Sequence, residues 1–457
     1  MKRREFVGKT LGAAAASALA SSRVLGANQR VRLGLIGCGP RGKLLVKLAR
    51  EVPDVEIVAA CDVYDAQLAD AANWAGPNCR THGDFRKLIE QKDLDAVFIA
   101  TPDHWHAIQA VLACQAGLDV YVEKPLGHNV KEGRAIVEAG KRHKRLVAAG
   151  TQQRSALHYA EVARIIRGGQ LGAVNYVRIW NFMNLTPEGI GRVPDSEPPA
   201  GLDWDFYLGP APKVPFNKGR FLGTYRWFWD YAGGLATDFG THRFDTMHQI
   251  MGVDMPVTVS AAGGRFTLRD GAETPDVLQA TFEYSNFTFS YEGCMINAHG
   301  SGGRTAGKKY YQMRSTDDRP HGEAFYGTNG ALFSDRIGYE VYPELKPVAG
   351  KGASIVGNYP TDGPRMERKE VAAEDATGLH VKNFIECIRT RQKPAADAET
   401  GQRSTNIGHL ANIAFRTGRK LRWDGAKEEF PGDPEANKLL GREFRPPWDQ
   451  VLKGYYS

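Results

Sequence analysis

The sequence predicts an α/β protein in two parts: a doubly wound parallel sheet first, then an α+β domain on an open, mostly antiparallel sheet. Three observations carry this. From Arg30 to Gln153, short β-branched and leucine-rich runs alternate with helical stretches, the pattern of parallel strands joined by crossover helices. After Gln153 strand-like runs succeed one another with few helices between them, which suits antiparallel pairing with one face left to pack on something else. A chain of 457 residues also exceeds one domain at about 150 residues each. Its 42% hydrophobic and 24% charged residues are ordinary globular usage, which argues against disordered, collagenous and polytopic membrane classes.

Residues 1–27 stand apart. MKRREF leads into the small apolar run LGAAAASALA and then Val24-Leu25-Gly26-Ala27, the order of a secretory signal. Paired Arg3-Arg4, followed by Glu5-Phe6-Val7 and Lys9, predicts a twin-arginine-type signal, an address for exporting folded protein to the periplasm. The apolar run falls short of the roughly 20 residues that span a bilayer, so no stable membrane span is expected. Lys2, Arg3, Arg4, Lys9 and Arg23 against Glu5 hold most of the formal +7, and with them goes any case for a nucleic-acid partner. The six cysteines show no CxxC spacing, so they are expected as small buried residues rather than zinc ligands or a dithiol pair.

The elements follow in order. VRLGLIGCGPRG and KLLVKLAREV read as strand, tight turn and helix; VEIVAACD is a second strand, QLADAANWA is helix-like, and DAVFIATP is another strand. HWHAIQAVLACQAG is helical, LDVYVEK a strand, VKEGRAIVEAGKRHK helical and RLVAAGTQ a strand, which places the first domain at 30–150. Residues 151–375 hold the second domain, with strands at AVNYVRIWNF, VTVSAAGGRFTL, DVLQATFEYSNFTFSYEG and GALFSDRIGYEVYP. Two amphipathic helices, HVKNFIECIRTR and TGQRSTNIGHLANIAFRTG, complete the fold over 376–425, and 426–457 reads as a tail.

The first turn carries chemistry. Gly37-Cys38-Gly39-Pro40-Arg41-Gly42 fits G-x-G-x-x-G between a strand and a helix, and Asp62 ends the next strand 20 residues after Gly42. Such glycines let the backbone approach a pyrophosphate at a helix N-terminus, and an acidic residue so placed bonds the adenine-ribose hydroxyls. Asp62 repels a 2′-phosphate and Val63 and Tyr64 supply no cation, which favours NAD over NADP.

Three further stretches identify a family. Thr101-Pro102-Asp103-His104-Trp105-His106, Glu123-Lys124-Pro125, and GGLATDFGTHRFDTMHQIMG with Asp238 and His242 follow the nucleotide turn in order. The set resembles the glucose-fructose oxidoreductase and inositol dehydrogenase (Gfo/Idh/MocA) family, from Val31 to about Asp424. The resemblance implies a Rossmann domain and an open-faced α/β domain with the active site between them. By it, Lys124 reaches the substrate hydroxyl and the nicotinamide, His242 is the acid–base residue, Asp238 is its partner, and Glu123 contacts the cofactor ribose. Thr101, Pro102 and His106 line the cofactor's path, as does the segment from Gly150 to Gln153 with its Gln152. Asp103 stands where many relatives have Asn, and an acidic group suits a pyrophosphate poorly, so it is left out of that set.

Trp180, Tyr225 and Trp229 are candidates for presenting flat faces to a sugar ring, with Arg154, Asp238 and His242 beside them. His242, Asp245 and His248 at three-residue intervals do not make a metal site, because His248 turns away from His242 on a helix. The expected protein is an exported oxidoreductase with tightly bound NAD, moving hydride to and from a secondary hydroxyl of a carbohydrate, and a homo-oligomer through its open sheet. The alternatives are a redox-neutral glycoside hydrolase working by oxidation and elimination, and a non-catalytic sensor of NAD or sugar.

Overall fold

The computed structural model describes residues 30–299, 319–349 and 361–456. The segment read as an export signal lies outside them.

Strands β1 (Val31–Ile36), β2 (Val55–Cys61), β3 (Arg80–His82), β4 (Ala96–Ile99), β5 (Asp119–Val122) and β6 (Val147–Ala149) form one sheet in the order β3-β2-β1-β4-β5-β6. Every pair is parallel. β4, β5 and β6 are buried at every position, as strands covered on both faces must be, and that is why they read as continuous apolar runs rather than alternating ones. The crossovers are α1 (Pro40–Arg50), α2 (His106–Gln115) and α3 (Val130–His143). QLADAANWA becomes two single turns, Asp65–Leu68 and Ala71–Trp74, broken by Asp70 at φ 56°.

The second sheet is centred on β7 (Val174–Asn184). Its other strands are β8 (Thr258–Gly264), β9 (Val277–Glu283), β10 (Thr288–Cys294), β11 (Ile296–Asn297), β12 (His321–Gly327), β13 (Gly330–Asp335) and β14 (Gly338–Pro343). Further on, β15 (Leu345–Pro347) pairs with β16 (Thr361–Pro364) apart from it, while β17 (Lys369–Ala372) and β18 (Leu421–Arg422) form its two edges. The main path runs β17-β14-β13-β12-β7-β10-β9-β8-β18. All its pairs are antiparallel except β10 with β7. In β9 and β10 alternate residues are buried, so one face meets the core formed with α4 (Leu157–Arg167), α5 (Gly234–Met251) and α7 (Ala398–Thr417). The other face carries an aromatic ladder, Tyr176 stacked on Tyr326 at 5.3 Å and Tyr326 edge-on to Phe333 at 6.0 Å.

The C-terminal region ties the two halves together. Helix α6 (Thr377–Thr390) packs Val381, Phe384 and Ile385 against the parallel sheet. The stretch expected as a tail is instead a packed strap: Phe430, Ala436 and Leu440 join the second core, while Trp448, Leu452 and Tyr455 join the first. Arg442 donates to Glu132 of the first domain at 2.7 Å and to the Asp230 carbonyl of the second at 3.0 Å. Its aromatic and arginine anchors are spaced too irregularly to show a period in sequence.

Candidate functional site

The site begins where β1 turns into α1. Gly37 has φ 93°, and a Cβ there would lie 2.7 Å from the backbone of Ala100 and Thr101 at the end of β4. A Cβ on Gly42 would lie 2.1 Å from the Gly37 carbonyl. Only glycine lets strand, turn and helix approach this closely. At Gly39 no described atom stands within 4 Å of such a Cβ, which leaves open space beside the first turn of α1. Among the described residues no side chain caps that turn, and it holds no acidic residue, so its N–H groups and positive dipole end remain available to an anion.

Asp62, just past β2, accepts from the Cys38 N–H at 2.8 Å and the Tyr64 N–H at 3.0 Å. Burial raises its pKa, and those N–H groups oppose the rise. Gly37, Gly39, Pro40, Arg41, Asp62, Thr101 and Pro102 line a cavity of about 470 Å³, a size suited to a small-molecule cofactor. Its outer wall belongs to the second domain. Residues 201–203 pair with 63–65 through Asp65 N–H to Gly201 and Asp203 N–H to Val63, both 2.9 Å, and Tyr207, Phe221, Leu222 and Tyr225 cover the space. A dinucleotide fits this cleft: a floor without side chains, an uncapped helix end, a carboxylate at the ribose position. The Gln152 Oε1, buried and without a hydrogen-bond partner among the described residues, offers an acceptor for an amide.

Glu123 and Lys124 follow β5. Glu123 accepts from Arg41 Nε at 2.6 Å, which joins it to the nucleotide turn. His106 places Nδ1 2.8 Å from the Pro125 carbonyl and Nε2 3.0 Å from that of Thr101, so it ties together the ends of β4 and β5.

Lys124 Nζ forms a short ion pair with Asp238 Oδ1 across the domain boundary, and Arg226 Nε lies 3.2 Å from the same oxygen. Burial pushes Asp238 upward, but Lys124 and Arg226 outweigh it and hold the carboxylate far below its usual range. This corrects one expectation: Asp238 pairs with Lys124 and Arg226, and His242 takes another partner. With its amide oxygen facing the Arg336 guanidinium (Nε 2.6 Å, Nη2 3.3 Å), Gln153 brings its amide nitrogen to 2.8 Å from His242 Nδ1. Burial, then the charges of Arg336 and Lys124, drive His242 well below the ordinary histidine range, so the imidazole is neutral near pH 7.

Two expected substrate residues are corrected as well. Trp180 is fully buried in β7 and its indole N–H donates to the Arg319 carbonyl at 2.6 Å, so it presents no face to a ligand. Arg154 is committed to Asp245, with Nη2 2.8 Å from Oδ1, and thereby braces α5. Tyr225 lines the cavity and donates to Asp103 at 2.9 Å, while Trp229 is half-buried beneath the Arg416 guanidinium at 5.4 Å. Asp103 is thus an interior acceptor. His248 lies 2.9 Å from the Tyr284 hydroxyl, turned from His242. Among the described residues no group of three or more His, Cys, Asp or Glu side chains could hold a metal, and no helix is long and apolar enough to cross a membrane.

The profile described as an oxidoreductase family, NAD-binding Rossmann fold, matches residues 31–151. Its companion, the family's C-terminal alpha/beta domain, matches 161–303 and 339–450. The chain belongs to the Gfo/Idh/MocA oxidoreductase family. A glycosyl hydrolase family 109 protein of Stenotrophomonas maltophilia is 37% identical over 142 residues, which are 29% of this chain and 31% of that protein. The scyllo-inositol 2-dehydrogenase (NAD(+)) of Bacillus subtilis is 22% identical over 88% of this chain and 99% of its own length. Thus the chain spans less than a third of one curated relative and nearly all of the other. Among solved structures, the WlbA dehydrogenase from Bordetella pertussis, in complex with NADH and UDP-GlcNAcA, shares the fold at TM-score 0.61 and 19% identity, covering 86% of this chain and 99% of that one.

In this member of the Gfo/Idh/MocA family, sequence reasoning missed two site residues and the role of a third. Gln153 lies in the segment expected along the cofactor's path, and its contact with His242 was not foreseen. Arg226, stacked 4.8 Å over the Tyr225 ring, sits next to a predicted aromatic. Arg336, in the β13–β14 turn, had no signal, since only the sheet's folding brings it to His242.

Proposed function

We propose that this protein is an oxidoreductase that keeps NAD tightly bound and transfers hydride to and from a secondary hydroxyl of a sugar or sugar derivative. The observation that carries the proposal is the meeting of Lys124, from the nucleotide domain, with Asp238 of α5, one helical turn from a neutral His242. Bound NAD supplies the hydride acceptor. Oxidising an alcohol also requires a group to take the hydroxyl proton, and a correctly placed one contributes roughly 10²–10⁴-fold in rate. Lys124 and His242 are the groups of the right chemistry at that place, and Asp238 positions Lys124.

Tight retention is supported by the outer wall of the cleft. The pairing of 63–65 with 201–203 and the Tyr207 and Phe221 rings wall the cavity on the side of the second domain, and in this reading they hinder escape of the cofactor. Retention also suits the twin-arginine reading of residues 1–27, because an enzyme exported to the periplasm already folded has to carry its dinucleotide along. The aromatic ladder on the open sheet face supports association with a second copy of the chain, which light scattering checks.

The test is to purify the protein, denature it and assay the supernatant for nicotinamide dinucleotide, then challenge the native enzyme with myo-inositol, aldoses and keto sugars. The expected result is about one NAD released per chain and reduced-cofactor absorbance that one sugar raises and another bleaches. No redox response to any carbohydrate overturns the proposal. The likeness to a glycosyl hydrolase family 109 protein favours a second reading, redox-neutral glycoside cleavage, and hydrolysis of an aryl glycoside without net NADH would select it.

A further inference from the structure

The hydrogen bonds around His242 resolve one donor at a time. A guanidinium has only donors, so the Gln153 atom facing Arg336 at 2.6 and 3.3 Å is the amide oxygen. The amide nitrogen is then the atom 2.8 Å from His242 Nδ1. That nitrogen also has only donors, so Nδ1 accepts with its lone pair. We infer that Arg336 and Gln153 lock the resting His242 as the neutral tautomer with its proton on Nε2, which makes His242 a hydrogen-bond donor to the substrate oxygen and leaves Lys124 as the base.

The surroundings agree. The charged groups acting on the ring are cations: Arg336 from the β13–β14 turn, Lys124 after β5, Arg41 on α1 and Arg243 on α5. With burial they all disfavour an imidazolium. Of the two carboxylates a helical turn away, Asp238 is taken by Lys124 and Arg226 and Asp245 by Arg154. The proton step then balances simply. In the direction of carbonyl reduction a Lys124 Nζ–H bond breaks as an O–H bond forms on the substrate oxygen, which holds the hydrogen bond from His242 Nε2–H, and the nitrogen keeps the electron pair and regains a proton from solvent; alcohol oxidation is the same step reversed, with Lys124 as the base. His242 ends the step with the proton it began with. Gln153 and Arg336 are positioning residues acting through it. The catalytic half of the inference rests on the dehydrogenase reading; the tautomer does not.

The test is ¹⁵N-histidine NMR of the purified holoprotein at pH 7, with the His242 resonances identified by their loss in His242→Gln. If that variant fails to fold, the difference between wild type and Gln153→Glu identifies them. The expected result is a bare Nδ1 and a protonated Nε2. In Gln153→Glu the carboxylate is an acceptor, so Nδ1 gains a proton, as the other tautomer or as imidazolium. With a sugar that turns over, that variant loses roughly 10²-fold in kcat with a smaller change in KM, and Arg336→Lys retains more kcat than Arg336→Met. A wild-type His242 protonated on Nδ1, or Gln153→Glu with unchanged tautomer and kcat, overturns the inference. If no sugar reacts, the dehydrogenase reading fails while the spectrum still decides the tautomer.

Discussion

The nucleotide turn and the proton-handling centre meet through Arg226, which lines the cavity and pairs with Asp238, but are built in opposite ways. The turn is local: six residues, 37–42, whose function lies in backbone and in the absence of side chains. The centre is assembled from afar: Lys124, Gln153, Asp238 and Arg336 come from four separate elements, and its function lies in which charge faces which. A local device is written in consecutive residues. An assembled one depends on pairings that tertiary packing decides, so its members are recognisable one by one and its partnerships are not.

The largest effect is expected from Lys124→Ala. Turnover should fall by roughly 10²–10⁴-fold while NAD still co-purifies, because the turn does not need the lysine; loss of NAD in that variant would show that the two regions are one unit. Next comes the strap that binds both halves. Trp448 packs on Trp105 at 4.7 Å beneath the Arg86 guanidinium at 5.5 Å, and Trp448→Ala should cost about 3–5 kcal/mol in urea unfolding. A cost near zero would return the strap to the status of a tail.

Gly37→Ala probes the turn alone. At φ 93°, with backbone 2.7 Å away, the methyl group should cost about 1–3 kcal/mol and empty the protein of NAD, leaving the Lys124–Asp238 pair intact. The effect that is smallest at pH 7 concerns a second histidine of α5. Burial, then Arg154, pushes His248 down to about 3, whereas an unfolded histidine titrates near 6.5. Between those values the unfolded chain binds the extra proton, so this group lowers stability as pH falls from about 6.5 towards 3. His248→Gln should therefore flatten the stability profile in that window by about 1.4 kcal/mol per pH unit, measured as the difference from wild type. A parallel profile would mean that His248 is protonated in the folded protein.

What was legible follows the same division. The parallel sheet was readable because strands buried on both faces are continuous apolar runs, as at Ala96–Ile99 and Asp119–Val122. Both helices after residue 376 were readable from their spacing, and Gly37, Gly42 and Asp62 from theirs. The partner of His242 was not: Asp238 lies one helical turn before it, but on α5 its carboxylate faces Lys124 and Arg226. Trp180 misled because an aromatic in a strand gives no hint which face is covered, and here the side chain is enclosed. Arg154 misled because its acidic partner, Asp245, lies 91 residues away.

The strap carries a consequence for how the chain comes into being. The core of the parallel sheet is completed by Ala396, Ala398, Trp448, Leu452 and Tyr455, all more than 240 residues beyond β6. A ribosome therefore releases the first six strands long before the side chains that seal them exist. Contacts of such separation close slowly, and until they do the nascent nucleotide domain exposes the apolar faces that invite aggregation. A fragment cut at residue 150 inherits that exposure permanently, so the two domains are separable on paper and obligate companions during synthesis.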